Sequence, residues 1–423
     1  MAGSSPFEAL NIDTLPARLA GVAAVRDHVG ADTRAWKVRE VGDGNLNLVF
    51  IVEGTAGSVI VKQALPYVRL VGESWPLPLK RSFFEYNALT RQAARDPGRV
   101  PETFHFDEAQ ALVVMEFLSP HIILRRALIE GQQLPRLAED IGLFMARTLF
   151  RGSDLAMNAG DRKADLAMFA GNVELCDITE GLVFTDPYFD APRNRHTTPH
   201  LDGIVARLRA DRDLKVAAQQ MKHLFATRAE TMVHGDLHSG SVMVTPTDTR
   251  VIDPEFAFYG PMAFDVGMYL SNLWMSYFSQ RGHEATGSRD GMRAFLLDTV
   301  TQTWAIFRAE FRQLWRNERR GILYDRALFE DQGDPLGAGQ ALDGLIAELW
   351  ADALGFAGVE MHRRILGLAH NADFESIADE AMRARCETAA LELGRHLAVN
   401  RRAIHSVEDV NALAQLIEKE SHP

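Results

Sequence analysis

Short apolar runs in the first third of the chain have the spacing of strands. Three of them, 38–41, 48–52 and 58–63, are separated by turns that contain glycine. This pattern predicts three antiparallel strands. A further apolar run, 111–119, predicts a buried strand that continues into a short connector. The helical period favours helices within 6–30 and over 79–95, and the proline-marked segment 63–78 indicates a loop.

From about residue 120 the apolar positions follow a mostly helical period. Helices are predicted at 134–150, 201–228, 266–278, 291–316, 345–369 and 387–398, with loops at 183–200 and 321–344. The pattern indicates an α+β, bilobal fold. A small antiparallel-sheet N-terminal lobe would take residues 1–118, and a larger, mostly helical C-terminal lobe would take residues 119–423.

The composition of the chain excludes several classes of protein. At 423 residues, 47% hydrophobic and 24% charged, the chain resembles ordinary soluble globular proteins. A net charge of −12 argues against partners such as nucleic acid or an anionic membrane. Cys176 and Cys386 are the only cysteines, too few for a disulfide framework or a four-thiolate zinc site. The N-terminus lacks the pattern of a signal peptide, and no apolar run is long enough to cross a bilayer, so we expect a cytoplasmic protein.

The stretch 231–265 carries the main candidate chemistry. Asp236 lies in His-Gly-Asp-Leu-His, and Asp253-Pro254-Glu255 begins seventeen positions later, after two short apolar runs and a turn. Phosphate transfer from a nucleotide needs one carboxylate to receive the acceptor's proton and others to hold Mg²⁺. Either motif alone is compatible with an ordinary turn, but the two at this spacing favour a kinase-type site.

A candidate phosphate contact precedes that stretch. The turn around Gly44 allows backbone amides to approach a polyphosphate, and Lys62 lies near the end of the second strand after that turn, 58–63. Alone, these features fit a hairpin turn and an edge-strand lysine, but their spacing suits a kinase N-terminal lobe. Glu85 is the candidate partner of Lys62, or else a solvated helix glutamate. The backbone of Glu116, Phe117 and Leu118 would bind adenine, unless this run is simply a sheet strand.

Two further features have both a structural and a functional interpretation. Arg363 and Arg364 are adjacent inside an apolar stretch, which indicates either anion recognition or two solvated arginines on a helix surface. Asp265 and His234 are predicted to brace the loop around Asp236. A zinc site at His234 and His238 is disfavoured because they lie on either side of a loop and no third ligand lies nearby.

Six segments together resemble the 5-methylthioribose kinases of methionine salvage: GDGNLNLVF, VKQALPYVR, GESWPL, HGDLHSGS, DPEFAFYGPMAFD and HRRILGLAH. The similarity covers about residues 36–395. It implies the fold shared by protein kinases and aminoglycoside phosphotransferases, ATP-dependent phosphorylation of 5-methylthioribose at the 1-hydroxyl, and a homodimer. HGDLH alone fits a kinase of another small hydroxyl acceptor equally well, such as an aminoglycoside, choline or homoserine.

The resemblance also implies roles for individual residues. ATP would contact Asn45, Lys62, the connector Glu116, Phe117 and Leu118, and the motif Asp253, Pro254 and Glu255. Asp253 and Glu255 would hold Mg²⁺, Asp236 would be the catalytic base, and Arg363 and Arg364 would face the sugar and the transferred phosphate. Ser241 stands where the wider kinase pattern has a metal-binding asparagine, so Glu255 is expected to replace that ligand.

Overall fold

The computed structural model describes residues 7–42, 46–68 and 72–421. The chain divides into two compact units. The first contains the chain up to His121 together with Asn172–Leu175 and Arg250–Ala257, and the second contains the rest. The predicted lobe boundary at residues 118 and 119 stays a prediction. Within the described residues, no helix combines the length and apolarity that a membrane crossing requires.

Up to residue 121 the chain forms mainly strands. The elements are α1 (Leu15–Leu19), α2 (Ala23–Val29), β1 (Lys37–Glu40), β2 (Asn47–Glu53), β3 (Ser58–Ala64), β4 (Tyr67–Val68), β5 (Gly72–Pro76), α3 (Arg81–Arg95), β6 (Thr103–Asp107) and β7 (Leu112–Glu116), with a 3₁₀ turn at Thr33–Ala35. Five of the strands form an antiparallel sheet in the order β1-β2-β3-β7-β6. The predicted three strands and the strand over 111–119 are therefore confirmed.

The alternation of side chains along β3 positions its lysine. Val59 and Val61 point into the apolar core, where they join residues such as Phe50 and Val114. Because successive side chains of a strand point to opposite faces, Lys62 lies on the face away from that core. On the neighbouring strands Lys62 is paired in register with Val49 and Val113.

After residue 121 the chain is mostly helical. The elements are β8 (Ile122–Ile123), α4 (Leu124–Ile129), α5 (Leu137–Arg151), α6 (Ala159–Phe169), α7 (Val173–Leu182), α8 (Asp202–Ala210), α9 (Arg212–Thr227), β9 (Thr231–Val233), β10 (Val242–Val244), β11 (Thr249–Val251), β12 (Phe258–Gly260), α10 (Met262–Ser279), α11 (Asp290–Glu318), α12 (Pro335–Leu366), α13 (Ala372–Glu375), α14 (Glu380–Asn400) and α15 (Val407–Ser421). Short 3₁₀ segments lie at Asp186–Tyr188, Gln280–Thr286, Arg326–Leu328 and Glu330–Gln332. The α+β class, with a small antiparallel sheet and a larger helical part, is as predicted.

Helix α10 is the centre of the second unit. All of its residues are buried, as its continuous apolar pattern predicted, and it packs against α11, α12 and α14. Helices α12 and α14 approach each other closely at a pair of glycines. A side chain added at Gly358 would lie 2.4 Å from the carbonyl oxygen of Gly394, so only glycine fits there.

Several predicted boundaries were wrong. The segment 63–78 is not only loop, since β4 and β5 pair within it; a two-residue strand is too short to show a pattern. Helix α12 begins ten residues before the predicted start, inside the predicted loop 321–344. Its start is set by Pro335 in the first turn and by Asp334, whose side chain accepts the Gly337 N–H at 2.8 Å. The predicted helix 201–228 is divided into α8 and α9 at Asp211, which caps α9.

Candidate active site

The strand lysine predicted to contact ATP forms a buried ion-pair cluster in the first unit. Lys62 Nζ donates to Glu85 Oε1 at 2.8 Å and also donates to the Asp253 carboxylate. The Lys62 side chain is 11% exposed and that of Glu85 is 3% exposed. The predicted pairing of Lys62 with Glu85 is confirmed, and the alternative of a solvated glutamate is excluded.

Three carboxylates of the first unit lie close enough together to hold one cation. One oxygen each from Glu85, Asp253 and Glu255 lies within 4.8 Å of the other two. Asp253 has a φ of 67°, a left-handed conformation that aspartate adopts more readily than most residues, and the buried Pro254 follows it. Because Mg²⁺ prefers oxygen ligands, this set of donors fits the predicted metal.

Two residues that the sequence pattern did not indicate hold Glu255. The Asn47 side chain donates to Glu255 Oε2 at 3.0 Å, and the Arg81 guanidinium lies 3.5 Å from the same oxygen. Arg81 is fully buried and also donates to the side-chain oxygen of Asn47 at 2.9 Å and to the carbonyl oxygen of Leu46 at 2.8 Å. Arg81 and Asn47 therefore connect the end of the glycine-containing turn to the predicted metal motif.

Burial and mutual repulsion set the ionisation of this cluster. Burial alone would lower the pKa of Lys62, but the neighbouring carboxylates, above all Asp253, raise it above the ordinary lysine value. Burial raises the pKa of Glu85 to about 7 despite the pull of Lys62. Burial also raises the pKa of Glu255. A bound cation would relieve the repulsion among these carboxylates, so the cluster favours a cation at neutral pH.

The connector predicted to bind adenine follows β7. Glu116 is the last residue of that strand, and its N–H donates to the carbonyl oxygen of Glu102 at 2.8 Å. Asn45 lies outside the described residues. The ATP contacts of Asn45 and of the connector therefore stay predictions.

The loop that carries Asp236 follows β9 and is held by Asp265 on α10. Asp265 accepts the backbone N–H groups of His234 at 2.6 Å and Gly235 at 3.1 Å. His234 Nδ1 accepts the N–H of Asp236 at 3.3 Å, and the Ser241 hydroxyl donates to the Asp236 carbonyl oxygen at 2.9 Å. The predictions that Asp265 and His234 brace the loop are confirmed, and Ser241 braces it as well.

The carboxylate of Asp236 has positively polarised groups on both oxygens. Arg363 and Arg364 each donate to Oδ1 at 3.4 Å, and His238 Nε2 lies 3.2 Å from Oδ2. Burial alone would raise the pKa of Asp236, but His238 and the two arginines outweigh it and hold that pKa well below its usual range. Asp236 is therefore a carboxylate throughout the neutral range.

The hydrogen bonds of His238 define its tautomer. The Gly240 N–H donates to Nδ1 at 2.8 Å, so Nδ1 is an acceptor and the ring proton lies on Nε2, facing Asp236. Burial lowers the pKa of His238 to about 4, and the charges of Arg364 and Arg125 contribute in the same direction. A neutral His238 thus donates one hydrogen bond to Asp236.

Both adjacent arginines are buried, which excludes the alternative of two solvated side chains. Arg363 is 8% exposed and Arg364 is 5% exposed. The carboxylate of Glu360, on the same helix α12, accepts from Arg363 NH1 at 3.1 and 3.2 Å and from Arg364 Nε at 2.6 Å. The free-energy cost of burying these two cations is therefore offset by the Glu360 carboxylate on the same helix.

The predicted site residues thus form two clusters, one in each unit. The first cluster is Lys62 with Asp253 and Glu255, and the second is Asp236 with Arg363 and Arg364. That both clusters act on one triphosphate stays a prediction.

Comparison with known proteins decides the family. The model of the phosphotransferase enzyme family (APH) matches residues 37–300. A methylthioribose kinase of Escherichia coli is 47% identical over 409 residues, which are 96% of this chain and 97% of that protein. Methylthioribose kinase 1 of Oryza sativa subsp. japonica is 42% identical over 98% of this chain and 96% of that protein. The chain belongs to the methylthioribose kinase family.

A glucosamine kinase, solved in complex with glucosamine, ADP and inorganic phosphate, is similar at 14% sequence identity. The alignment covers 91% of this chain and 86% of that chain, with a TM-score of 0.47. Membership of the methylthioribose kinases confirms the family that the sequence motifs resembled and the protein-kinase-like fold class.

Sequence reasoning missed several residues of this methylthioribose kinase family member that hold the predicted groups in place. Glu360 precedes the arginines by three and four positions, a spacing that brings side chains together on a helix and was a usable signal. Arg81 stands four positions before Glu85 on α3, a comparable signal. No signal predicted that Asn47 contacts Glu255, because the two are far apart in the sequence.

Proposed function

We propose that the chain transfers the γ-phosphoryl group of ATP to the 1-hydroxyl of 5-methylthioribose, giving 5-methylthioribose 1-phosphate and ADP in methionine salvage. The observation that carries this proposal is a charged carboxylate, Asp236, held beside the buried pair Arg363 and Arg364. A carboxylate can accept a hydroxyl proton, and guanidinium groups suit phosphate oxygens. Membership of the methylthioribose kinase family supports 5-methylthioribose as the acceptor.

In the proposed step Asp236 orients the sugar hydroxyl and accepts its proton. The hydroxyl oxygen forms a bond to the γ-phosphorus while the bond from that phosphorus to the bridging oxygen breaks, and ADP leaves with the electron pair. Arg363 and Arg364 neutralise charge on the transferred group. Because the pKa of Asp236 is so low, its main contribution is to orient the hydroxyl, and the proton passes on to solvent.

The first cluster is proposed to bind the nucleotide. Lys62, oriented by Glu85, would contact the phosphates together with the turn at Asn45, and Glu116, Phe117 and Leu118 would bind adenine. Asp253 and Glu255, with Pro254 between them, would hold Mg²⁺, and their oxygen donors fit that ion. When bound, Mg²⁺ supplies positive charge against the β- and γ-phosphates.

The arginines also bear on the choice of acceptor. A cationic acceptor such as choline or an aminoglycoside would be repelled by Arg363 and Arg364, whereas an uncharged sugar would not. We further propose a cytoplasmic homodimer that binds neither nucleic acid nor membrane. The net charge of −12 and the two free cysteines, Cys176 and Cys386, support the partner and compartment assignments, and the family resemblance supports the dimer.

The experiment is an ADP-release assay with ATP and Mg²⁺ against 5-methylthioribose, ribose, choline, homoserine and an aminoglycoside. We expect turnover with 5-methylthioribose to exceed that with each other acceptor by at least about a hundredfold. Asp236→Asn should lower kcat by about three powers of ten while leaving the affinity for ATP unchanged. Turnover with choline or homoserine that exceeds turnover with the sugar would refute the proposal.

A further inference from the structure

Glu360 is a fully buried carboxylate whose partners are the two arginines proposed to face the phosphoryl group. We propose that Glu360 is a positioning residue that anchors Arg363 and Arg364, so that they do not pair fully with Asp236. This inference rests on the proposed function, in which Asp236 must be free to accept a hydroxyl proton.

The distances show which carboxylate binds the arginines. Glu360 accepts from Arg364 Nε at 2.6 Å and from Arg363 NH1 at 3.1 and 3.2 Å. Both arginines lie 3.4 Å from Asp236 Oδ1. Hydrogen bonds weaken beyond about 3.2 Å, so the guanidinium groups are bonded to Glu360 and make only long contacts with Asp236.

The helix makes this arrangement possible. Glu360, Arg363 and Arg364 are related by three and four positions within α12, so their side chains lie on one face of the helix. Side chains on a helix point back toward its N-terminus, which directs both arginines toward Glu360. The anchor therefore belongs to the same rigid element as the groups it holds.

The negative charge of Glu360 prevents the two arginines from pairing fully with Asp236. Two guanidinium groups face two carboxylates, Glu360 and Asp236. Without the negative charge of Glu360, Asp236 would be the only carboxylate that the described structure pairs with both arginines. The two arginines would then bond more closely to Asp236. Such bonds would occupy the Asp236 oxygen that must receive the hydroxyl proton, and they would also occupy the N–H groups that must bind the phosphoryl oxygens.

The test compares Glu360→Gln with a matched control on the same helix. Asp352 is also a buried carboxylate of α12, and it contacts two arginines, Arg228 and Arg401. Both substitutions remove one buried charge without changing side-chain size. Asp352→Asn therefore measures how far kcat falls when a buried charge of this helix is lost at a position that has no contact with Asp236.

We expect Glu360→Gln to lower kcat with 5-methylthioribose by about 10- to 100-fold, because small displacements of catalytic groups have effects of that size. The KM for ATP should remain within about twofold, because the ATP-binding residues are proposed to lie in the other cluster. Asp352→Asn should retain kcat within about threefold. Thermal melting of each variant reports whether it is folded.

Wild-type kcat in folded Glu360→Gln would overturn the inference, as would equal losses of kcat in both variants. If Glu360→Gln does not fold, Glu360→Asp decides. Its carboxylate is drawn back by one methylene, so kcat should fall at least about fivefold, and an unchanged kcat would overturn the inference. An inactive wild-type enzyme would instead refute the proposed function itself, and the inference with it.

Discussion

The side chain of Asn47 donates a hydrogen bond to Glu255 Oε2 at 3.0 Å, although 208 positions separate the two residues in the chain. Asn47 is buried, and its own oxygen accepts from the buried Arg81 at 2.9 Å. One oxygen of Glu255, a residue that we propose as a metal ligand, is therefore fixed by the protein. The residue after the glycine-containing turn thus helps to define a predicted metal ligand.

This relationship predicts that Asn47→Ala weakens metal binding. We expect the affinity for Mn²⁺, measured by electron paramagnetic resonance with ADP present, to fall by about 10- to 100-fold. Losses of that size are usual when a residue that hydrogen-bonds to a metal-binding side chain is removed. Asn87→Ala on α3 is the control, because the Asn87 side chain donates to the carbonyl oxygen of Phe83 on the same helix. Unchanged Mn²⁺ affinity in folded Asn47→Ala would show that Glu255 needs no such support.

The ion pairs of Lys62 lead to a prediction about the kinetics with ATP. Lys62→Met keeps most of the buried side-chain volume but leaves the carboxylates of Glu85 and Asp253 without their shared cation. We expect kcat/KM for ATP to fall by at least about a hundredfold, since the proposed phosphate contact and the charge that neutralises the two carboxylates are both lost. Steady-state kinetics with ATP as the varied substrate measures this. Lys80→Met, at an exposed position, should have no effect, and equal kinetics in both variants would exclude Lys62 from the ATP site.

The low pKa of Asp236 predicts the pH dependence of activity. A depressed pKa keeps the carboxylate charged down to low pH, so the acidic limb of kcat/KM for the sugar should lie below the range in which an ordinary aspartate titrates, if Asp236 sets it. Arg364→Gln removes one stabilising charge and raises the pKa of Asp236. The acidic limb should then move to higher pH.

The control for this pH profile is Arg126→Gln on α4, whose side chain is exposed and pairs with Glu130. It should leave the limb in place. An acidic limb that does not move in Arg364→Gln would mean that a group other than Asp236 sets it.

His238 predicts a difference between two substitutions. Its Nε2–H donates to Asp236, so His238→Gln, which can place an N–H at a similar distance, should retain kcat within about tenfold. His238→Leu removes the donor and should lower kcat by about a hundredfold. Because the pKa of His238 is about 4, neither variant should remove a titration near pH 6.5. Equal kcat values for the two variants would show that the hydrogen bond is unimportant.

The candidate catalytic and metal-binding groups could be proposed from the sequence because phosphate transfer prescribes both their type and their spacing. Asp236 and Asp253 could be identified in this way, and Lys62 could be identified from its place at the end of a strand after a glycine-containing turn. The groups that hold them were not identified. The helical spacings of Arg81 to Glu85 and of Glu360 to the two arginines were usable signals, but the sequence does not show whether such helix charges are buried. Their role depends on burial, which results from tertiary packing.

The same distinction applies to the fold. Strand β3 was predicted because its alternating valines face a core, and α10 because it is apolar all round. The start of α12 was missed because glycines at 337, 339 and 344 weaken the helical pattern there. The cap from Asp334 and the buried positions that follow decide that boundary.

The most direct test of the account is the structure of the product. The enzyme is incubated with ATP, Mg²⁺ and 5-methylthioribose, and ³¹P and ¹H NMR locate the new phosphate ester. We predict a single ester whose phosphorus couples to the proton on carbon 1, formed by the wild type and nearly absent with Asp236→Asn. A phosphate on carbon 2 or 3, or an equal yield from Asp236→Asn, would contradict the assignment of Asp236 as the base that directs the 1-hydroxyl.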